Sequence, residues 1–399
     1  MPDQSTRHPW KRRLNQHPFA SLMVANFCFF MGFATFFLLP KYLITELGAS
    51  DRQVGTIMAA YGLCMVACLP FIGSGSDRHG RRPFLIAGAG LLGLTALAFI
   101  GVGDMGSTPY LLRGLQGLAF ACWFVNSSTL AVDLVDPARR GGALGLFGVS
   151  TLVTYGLAPA LAEWVAHMHG FIPVFVLASG WSLLALLVGS RLPEPTSQRE
   201  SRRPATSRSW RRLAFEPVIG KIATSALLMG LAFGTVLVFS QPQALARGIE
   251  PVTLLTLAFA LTSIMIRLGF SHLVDGNRKR FVLTLSLIAM AAGTSLLARI
   301  DSQSVYVLCG ILVGIGHSLA YPTLNVMLIN HLPSHEHGRG MSLFVAAFNI
   351  GTILAQFGLG LAVVRVGLPG IFLIAGSLVL LAIPCALSAV GPPAGMRSQ

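Results

Sequence analysis

Two side chains set inside apolar runs have the chemistry to bind or move charge: Arg113, within Leu112-Arg113-Gly-Leu-Gln116-Gly117, and His317, near the middle of an apolar run over 303–329. A guanidinium in hydrocarbon is costly, and at about 1.5 Å per residue Arg113 lies about 10 Å inside its run, so it is expected to face a polar cavity or a partner. An imidazole changes charge near neutral pH, which suits His317 to proton exchange. Each has a plainer alternative, a snorkelling arginine and a hydrogen-bonded core histidine. All 15 acids fall in loops or towards the ends of runs, Asp133 and Glu163 among them. Two cations without a central carboxylate favour anionic or zwitterionic cargo.

Further polar residues lie away from the ends of apolar runs: Asn26, Thr35, Asn126, Tyr155, Asn325, Asn349 and Gln356. Trp123 and Tyr321 could stack on a planar solute, although a lone aromatic is more commonly core or lipid-facing. Enzyme chemistry finds no foothold. His335 and His337 fall short of a metal-ligand set, no phosphate-binding glycine loop with Lys-Ser or Lys-Thr occurs, and no cofactor or metal is expected. The six cysteines all sit in apolar runs and read as small core residues.

The elements that must position these groups are set by composition. With 53% hydrophobic and 11% charged residues and a mean hydropathy of +0.68, the chain is expected to be a polytopic, all-helical membrane protein. Twelve spans are expected, near 19–47, 53–73, 83–103, 107–132, 142–166, 170–190, 216–246, 251–273, 281–298, 303–329, 340–363 and 368–389. The net charge of +14 would suggest nucleic acid in a soluble chain. Here the Lys and Arg residues instead concentrate in every second inter-span segment, including Lys11-Arg12-Arg13, Arg139-Arg140 and Arg278-Lys279-Arg280. That asymmetry places both termini in the cytoplasm against anionic lipid headgroups, with no nucleic-acid partner. An Arg-, Ser- and Pro-rich stretch over 193–215 reads as a linker between halves 1–192 and 216–399. The halves match weakly at an offset near 200: Phe33, Thr35 and Gly48 against Phe233, Thr235 and Gly248, and Arg140-Gly141 against Arg339-Gly340. A near-constant offset points to duplication.

Between the second and third runs stands Gly73-Ser-Gly-Ser-Asp77-Arg78-His-Gly80-Arg81-Arg82, expected to form a tight turn at a membrane face, with Gly73 and Gly75 allowing close approach and Gly80 a positive φ. This order resembles motif A of the major facilitator superfamily of transporters, and the resemblance extends over nearly the whole chain. It implies a twelve-helix fold of two pseudo-symmetric six-helix bundles, with Asp77 pairing at the interface of the halves and Arg81 linking it to Asp133 as a gating relay. The second copy, Asp275-Gly-Asn-Arg278-Lys279-Arg280, keeps the charges and loses the glycine arrangement. The Arg113 run is similar to motif B of proton-coupled members. Gly145, Gly148, Gly156 and Pro159 are similar to motif C of the antiporters, with Ala160-Leu161-Ala162 where a glycine pair is usual. Small residues that merely let helices pack closely explain the same pattern. The first, fourth, seventh and tenth helices line the cavity in that family, which favours Asn26, Arg113, Asn126, Gln241 and His317.

The expectation is therefore a secondary transporter of the inner membrane, resembling the small drug-efflux-like branch. It would act as a monomer, exchanging a small organic solute for protons by alternating access. Metabolite uptake or facilitated diffusion is the alternative within the fold, and a non-transporting receptor or scaffold the alternative outside it.

Overall fold

The computed structural model describes residues 18–135, 140–194, 213, 215–269, 279–333 and 336–389, and every regular element among them is helical. The helices are α1 (Pro18–Thr35), α2 (Leu39–Thr45), α3 (Asp51–His79), α4 (Arg82–Ala98), α5 (Thr108–Asp133), α6 (Arg140–His169), α7 (Phe171–Gly189), α8 (Pro217–Ala246), α9 (Leu254–Gly269), α10 (Lys279–Leu296), α11 (Gln303–His331), α12 (His337–Ile353) and α13 (Gly360–Ala389). Among the described residues, ten helices are long and apolar enough to cross a membrane. Two features separate that number from twelve. Helix α9 has 16 residues, short of the roughly 20 that span a bilayer core. The last two expected spans form one run over Arg339–Ala389, interrupted at Gly367, whose φ of 70° and ψ of 171° are not helical.

The apolar runs become helices because lipid leaves no other partner for backbone N–H and C=O groups. Their ends follow glycine chemistry. Gly48 and Gly248 adopt φ of 64° and 66°, the left-handed conformation that ends helices without steric cost, and donate back to Ile44 O and Leu245 O. The offset of 200 recurs in detail at Thr35 and Thr235, which donate to the carbonyls of Met31 and Leu231 at 2.8 Å each.

The charged cluster after the second run is shorter as a turn than its composition suggests. Helix α3 continues through Gly73–Asp77 to His79, and only Gly80, at φ 88°, breaks it. The serine hydroxyls stay within the helix: Ser74 donates to Pro70 O at 3.0 Å and Ser76 to Gly73 O at 3.1 Å.

The chain divides into two compact units. One comprises Met1–Leu38 with Leu63–Arg202, the other Leu39–Gly62 with Arg203–Gln399. In the first, α1 packs against α7, α6 and α5 around an aromatic core of Phe29, Phe30, Phe33, Phe99, Phe120 and Trp123. Small residues allow the close contacts: a Cβ at Gly32 would meet Ala178 O at 2.8 Å, and one at Gly88 would meet Ala119 O at 2.7 Å. In the second unit α8 packs against α12 and α13, and a Cβ at Gly234 would lie 2.8 Å from Thr352 Cα.

Candidate functional site

At the Gly80 turn the structure brings together residues up to 113 positions apart. Arg81 and Asp133 form an ion pair whose side chains are only 13% and 7% exposed. From the end of the first unit, the Glu194 carboxylate accepts hydrogen bonds from the backbone N–H groups of Arg81 at 2.6 Å and Arg82 at 3.2 Å. These are first-turn donors of α4 that lack an intrahelical acceptor, and a carboxylate there also meets the positive end of the helix dipole. Arg78 is exposed on the last turn of α3, where a cation suits the negative helix end. Gly73 has open space around its Cβ position. The close approach is made at Gly75, where a Cβ would meet Phe84 Cζ at 2.8 Å. The Asp77 side chain, Asp275 with Arg278, His335, and residues 195–212 of the expected linker lie outside the described residues.

Deeper in the first unit, Asn26 on α1 joins three helices. Its Nδ2 donates to the hydroxyls of Ser150 and Thr151 on α6, both at 3.1 Å, and its Oδ1 accepts from Trp123 Nε1 on α5 at 3.2 Å. Trp123 is fully buried and stacks on Phe29, with centroids 4.5 Å apart and planes 2° from parallel. Asn26 and Trp123 thus serve each other and the packing of α1, α5 and α6. Thr35 is buried with its hydroxyl bonded to its own helix. Asn126 donates to Cys122 O at 2.8 Å, leaving its buried Oδ1 with no hydrogen-bond partner among the described residues.

Arg113 is 3% exposed on α5, and its Nη1 donates to Gln116 Oε1 at 2.7 Å. Gln116 is fully buried, and its Nε2 has no partner among the described residues. On α6, Gly148 is half-buried and Gly156 and Pro159 are buried. Glu163 on the same helix is 6% exposed. Sequence reading set it aside as a residue near a span end. The expected span ended at 166 and put Glu163 close to the end, whereas α6 continues to His169 and carries it deeper.

In the second unit His317 on α11 is the hub of an aromatic group. Its ring stacks near Phe233 (4.9 Å, 30°) and Tyr321 (5.5 Å, 27°), and meets Phe259 and Phe348 edge-on at 5.6 and 5.9 Å. Arg267 on α9 is within electrostatic reach of His317 and Tyr321. His317 Nδ1 and Asn325 Oδ1 have no hydrogen-bond partner among the described residues. Phe233, His317, Tyr321 and Phe348 are all half-buried. Asn349, half-buried on α12, donates to Val345 O at 2.8 Å, and Gln241 is buried on α8. Half-buried polar groups inside apolar helices belong on a bundle interior or an aqueous cavity rather than against lipid.

Long apolar helices joined by buried polar groups, with an ion pair and a carboxylate holding one inter-helix turn, define a multi-pass helical membrane protein. The chain belongs to the Major Facilitator Superfamily, whose family model matches residues 22–275 and 244–398. It is a transporter, not an enzyme. Among curated proteins it is 21% identical over 361 residues to the MFS-type transporter YhhS of Escherichia coli, covering 87% of this chain and 85% of that protein. It is 25% identical over 330 residues to the multidrug resistance protein MdtL of Escherichia coli, covering 81% of this chain and 79% of that one. Among solved structures, the fold is similar to the nucleoside transporter NupG, with a TM-score of 0.77 at 14% identity over 94% of this chain and all of the other. It is also similar to the human organic anion transporter MFSD10, with a TM-score of 0.69 at 17% identity over 95% of this chain and all of the other.

Proposed function

We propose that the protein exports a small organic solute across the inner membrane in exchange for protons, as a monomer working by alternating access. The observation that carries this reading is Arg113: an arginine 3% exposed inside an apolar helix, bonded to Gln116, has no structural economy in lipid and calls for a charge-handling role. Likeness to a multidrug resistance protein over most of both chains supports the outward direction. In this reading the chain forms twelve spans in two six-helix bundles, residues 1–192 and 216–399, joined by a cytoplasmic linker over 193–215, with both termini in the cytoplasm. The break at Gly367 supports counting Arg339–Ala389 as two spans, since 51 residues of helix would extend about 77 Å against a core of about 30 Å.

The Arg81 and Asp133 pair, with Asp77 beside it in sequence, acts as the gate at one membrane face, and Glu194 fixes the turn that presents it. In the second unit the solute-binding candidates are His317, Tyr321, Asn349 and Gln241; in the first, Asn126 is the candidate, on a helix set in place by Asn26, Thr35 and Trp123. Metabolite profiles of a deletion strain test the direction. Accumulation of a solute inside the cells supports export, depletion supports uptake, and unchanged profiles on both sides of the membrane would end the transport reading for this solute class.

A further inference from the structure

We infer that Glu163 and Arg113 form one buried proton-exchange site, with Glu163 as the carboxylate that takes up and releases the proton. The inference rests on the transport reading, in which the cycle separates the two groups. Helix α5 ends at Asp133 and α6 begins at Arg140, so this short connection makes them antiparallel neighbours, and the two helices pack together. The Thr108 end of α5 and the His169 end of α6 therefore lie at the same side. Arg113 is five residues into α5 from Thr108, and Glu163 is six residues before His169, depths of about 7.5 and 9 Å at 1.5 Å per residue.

Both point inward. On α6 the exposed stripe is Leu157, Trp164 and Met168, spaced at 7 and 4 residues, while Ala158, Ala162 and Glu163 are buried. On α5, Leu111 is 63% exposed and Arg113 is 3% exposed. A carboxylate and a guanidinium removed from water at one depth are stable together and costly apart.

Among the described elements packed against α6, the other titratable and charged groups are few. Helices α1 and α7 and the turn at Phe36–Leu38 contain no Asp, Glu, Lys, Arg or His. Helix α5 contributes Arg113, Tyr110 and, at its far end, Asp133. Helix α6 itself adds Tyr155 and the terminal His167 and His169, with Arg140 at its opposite end. While paired with Arg113, Glu163 is held as the carboxylate. When the pair opens, a hydronium ion gives its proton to one carboxylate oxygen: one O–H bond of hydronium breaks, the carboxyl O–H bond forms, and a water molecule is left. The pair is neutral overall, so Arg113 by itself gives no preference for an anionic solute.

The proton alone is a sufficient probe. The full chain is reconstituted in phosphatidylcholine vesicles, and the C=O stretch of protonated carboxyl groups is followed by infrared difference spectroscopy. Arg113→Gln should make one such band appear at about pH 7, where an unperturbed glutamate is ionised, and adding Glu163→Gln should remove it. A band that survives Glu163→Gln, or no band in Arg113→Gln, overturns the site. Thermal unfolding in detergent guards against a variant that fails to fold: the neutral double variant should unfold at a higher temperature than either single one, and strictly additive losses would likewise overturn the pairing. Export is read separately by the metabolite profiles, so loss of this site and loss of the transport reading are distinguishable.

Discussion

The Glu194 carboxylate occupies the space that a side chain at position 80 would need: a Cβ built on Gly80 would lie 2.8 Å from Glu194 Cδ. Glycine is required there twice, for that space and for a φ of 88°. Gly80→Ala should therefore cost about 1–2 kcal/mol for the backbone conformation, with a further loss from displacing Glu194. Thermal unfolding in detergent reads the sum. Glu194→Ala added to Gly80→Ala should relieve only the steric part, and full recovery would show that the backbone conformation costs nothing.

Asp133→Asn removes the charge partner of a nearly buried Arg81. Breaking one side of such a pair costs about 3–5 kcal/mol when burial is complete, and the residual exposure of Arg81 puts the loss towards the lower figure. Insertion should persist while the transport rate falls, because the pair holds a turn rather than a core. Asp77→Asn should slow transport in the same way. Rates equal to wild type at matched expression in both variants would reduce the turn to an anchor.

Trp123→Phe keeps the stack on Phe29 and removes the donor to Asn26 Oδ1. The buried amide oxygen is left unpaired, at a cost of about 1–3 kcal/mol. Asn26→Leu removes all three bonds and should cost more. A smaller effect for Asn26→Leu than for Trp123→Phe would mean the amide does not join the three helices as its bonds imply.

His317→Phe preserves ring packing against Phe233 and Tyr321 while removing the nitrogen atoms. If the group meets solute through those nitrogens, apparent affinity should fall by about tenfold, equivalent to about 1.4 kcal/mol, and thermal stability should hold. Unchanged affinity with unchanged stability would return His317 to a packing role.

Lys41 and Glu250 serve as a comparison, with an ion pair at 2.9 Å whose glutamate side chain is 56% exposed. Solvent screening limits such a contact to about 0–1 kcal/mol. Lys41→Met should leave the unfolding temperature within a few degrees of wild type, and a large drop would show that screening does not limit this contact.

The helices and their order were legible because lipid imposes one solution on a long apolar run. Gly48 and Gly248 were legible as a repeated pair, and their matching φ values give that repeat a physical meaning. The extent of the charged turn was not legible. Ser74 and Ser76 suggest a loop by type, yet their hydroxyls return to helix carbonyls. Glu194 lay in a stretch whose composition reads as linker, and its partners are backbone N–H groups, which carry no side-chain signature. The depth of Glu163 was hidden by the expected end of its span at 166, since the last turn of α6, through His169, is polar enough to read as a loop. Which aromatic rings gather around His317 depends on packing between helices far apart in sequence, and single-helix periodicity does not contain it.

The contact between Arg81 and Glu194 spans 113 residues, and this imposes an order on biogenesis. At about 5–20 residues per second, a ribosome that has made Gly80 needs roughly 6–23 s more to make Glu194. Through that interval the first-turn donors of α4 stand without this acceptor. The turn is completed only once α7 has been delivered, so Glu194 acts as a latch that reports α4 to α7 present before α8 is synthesised.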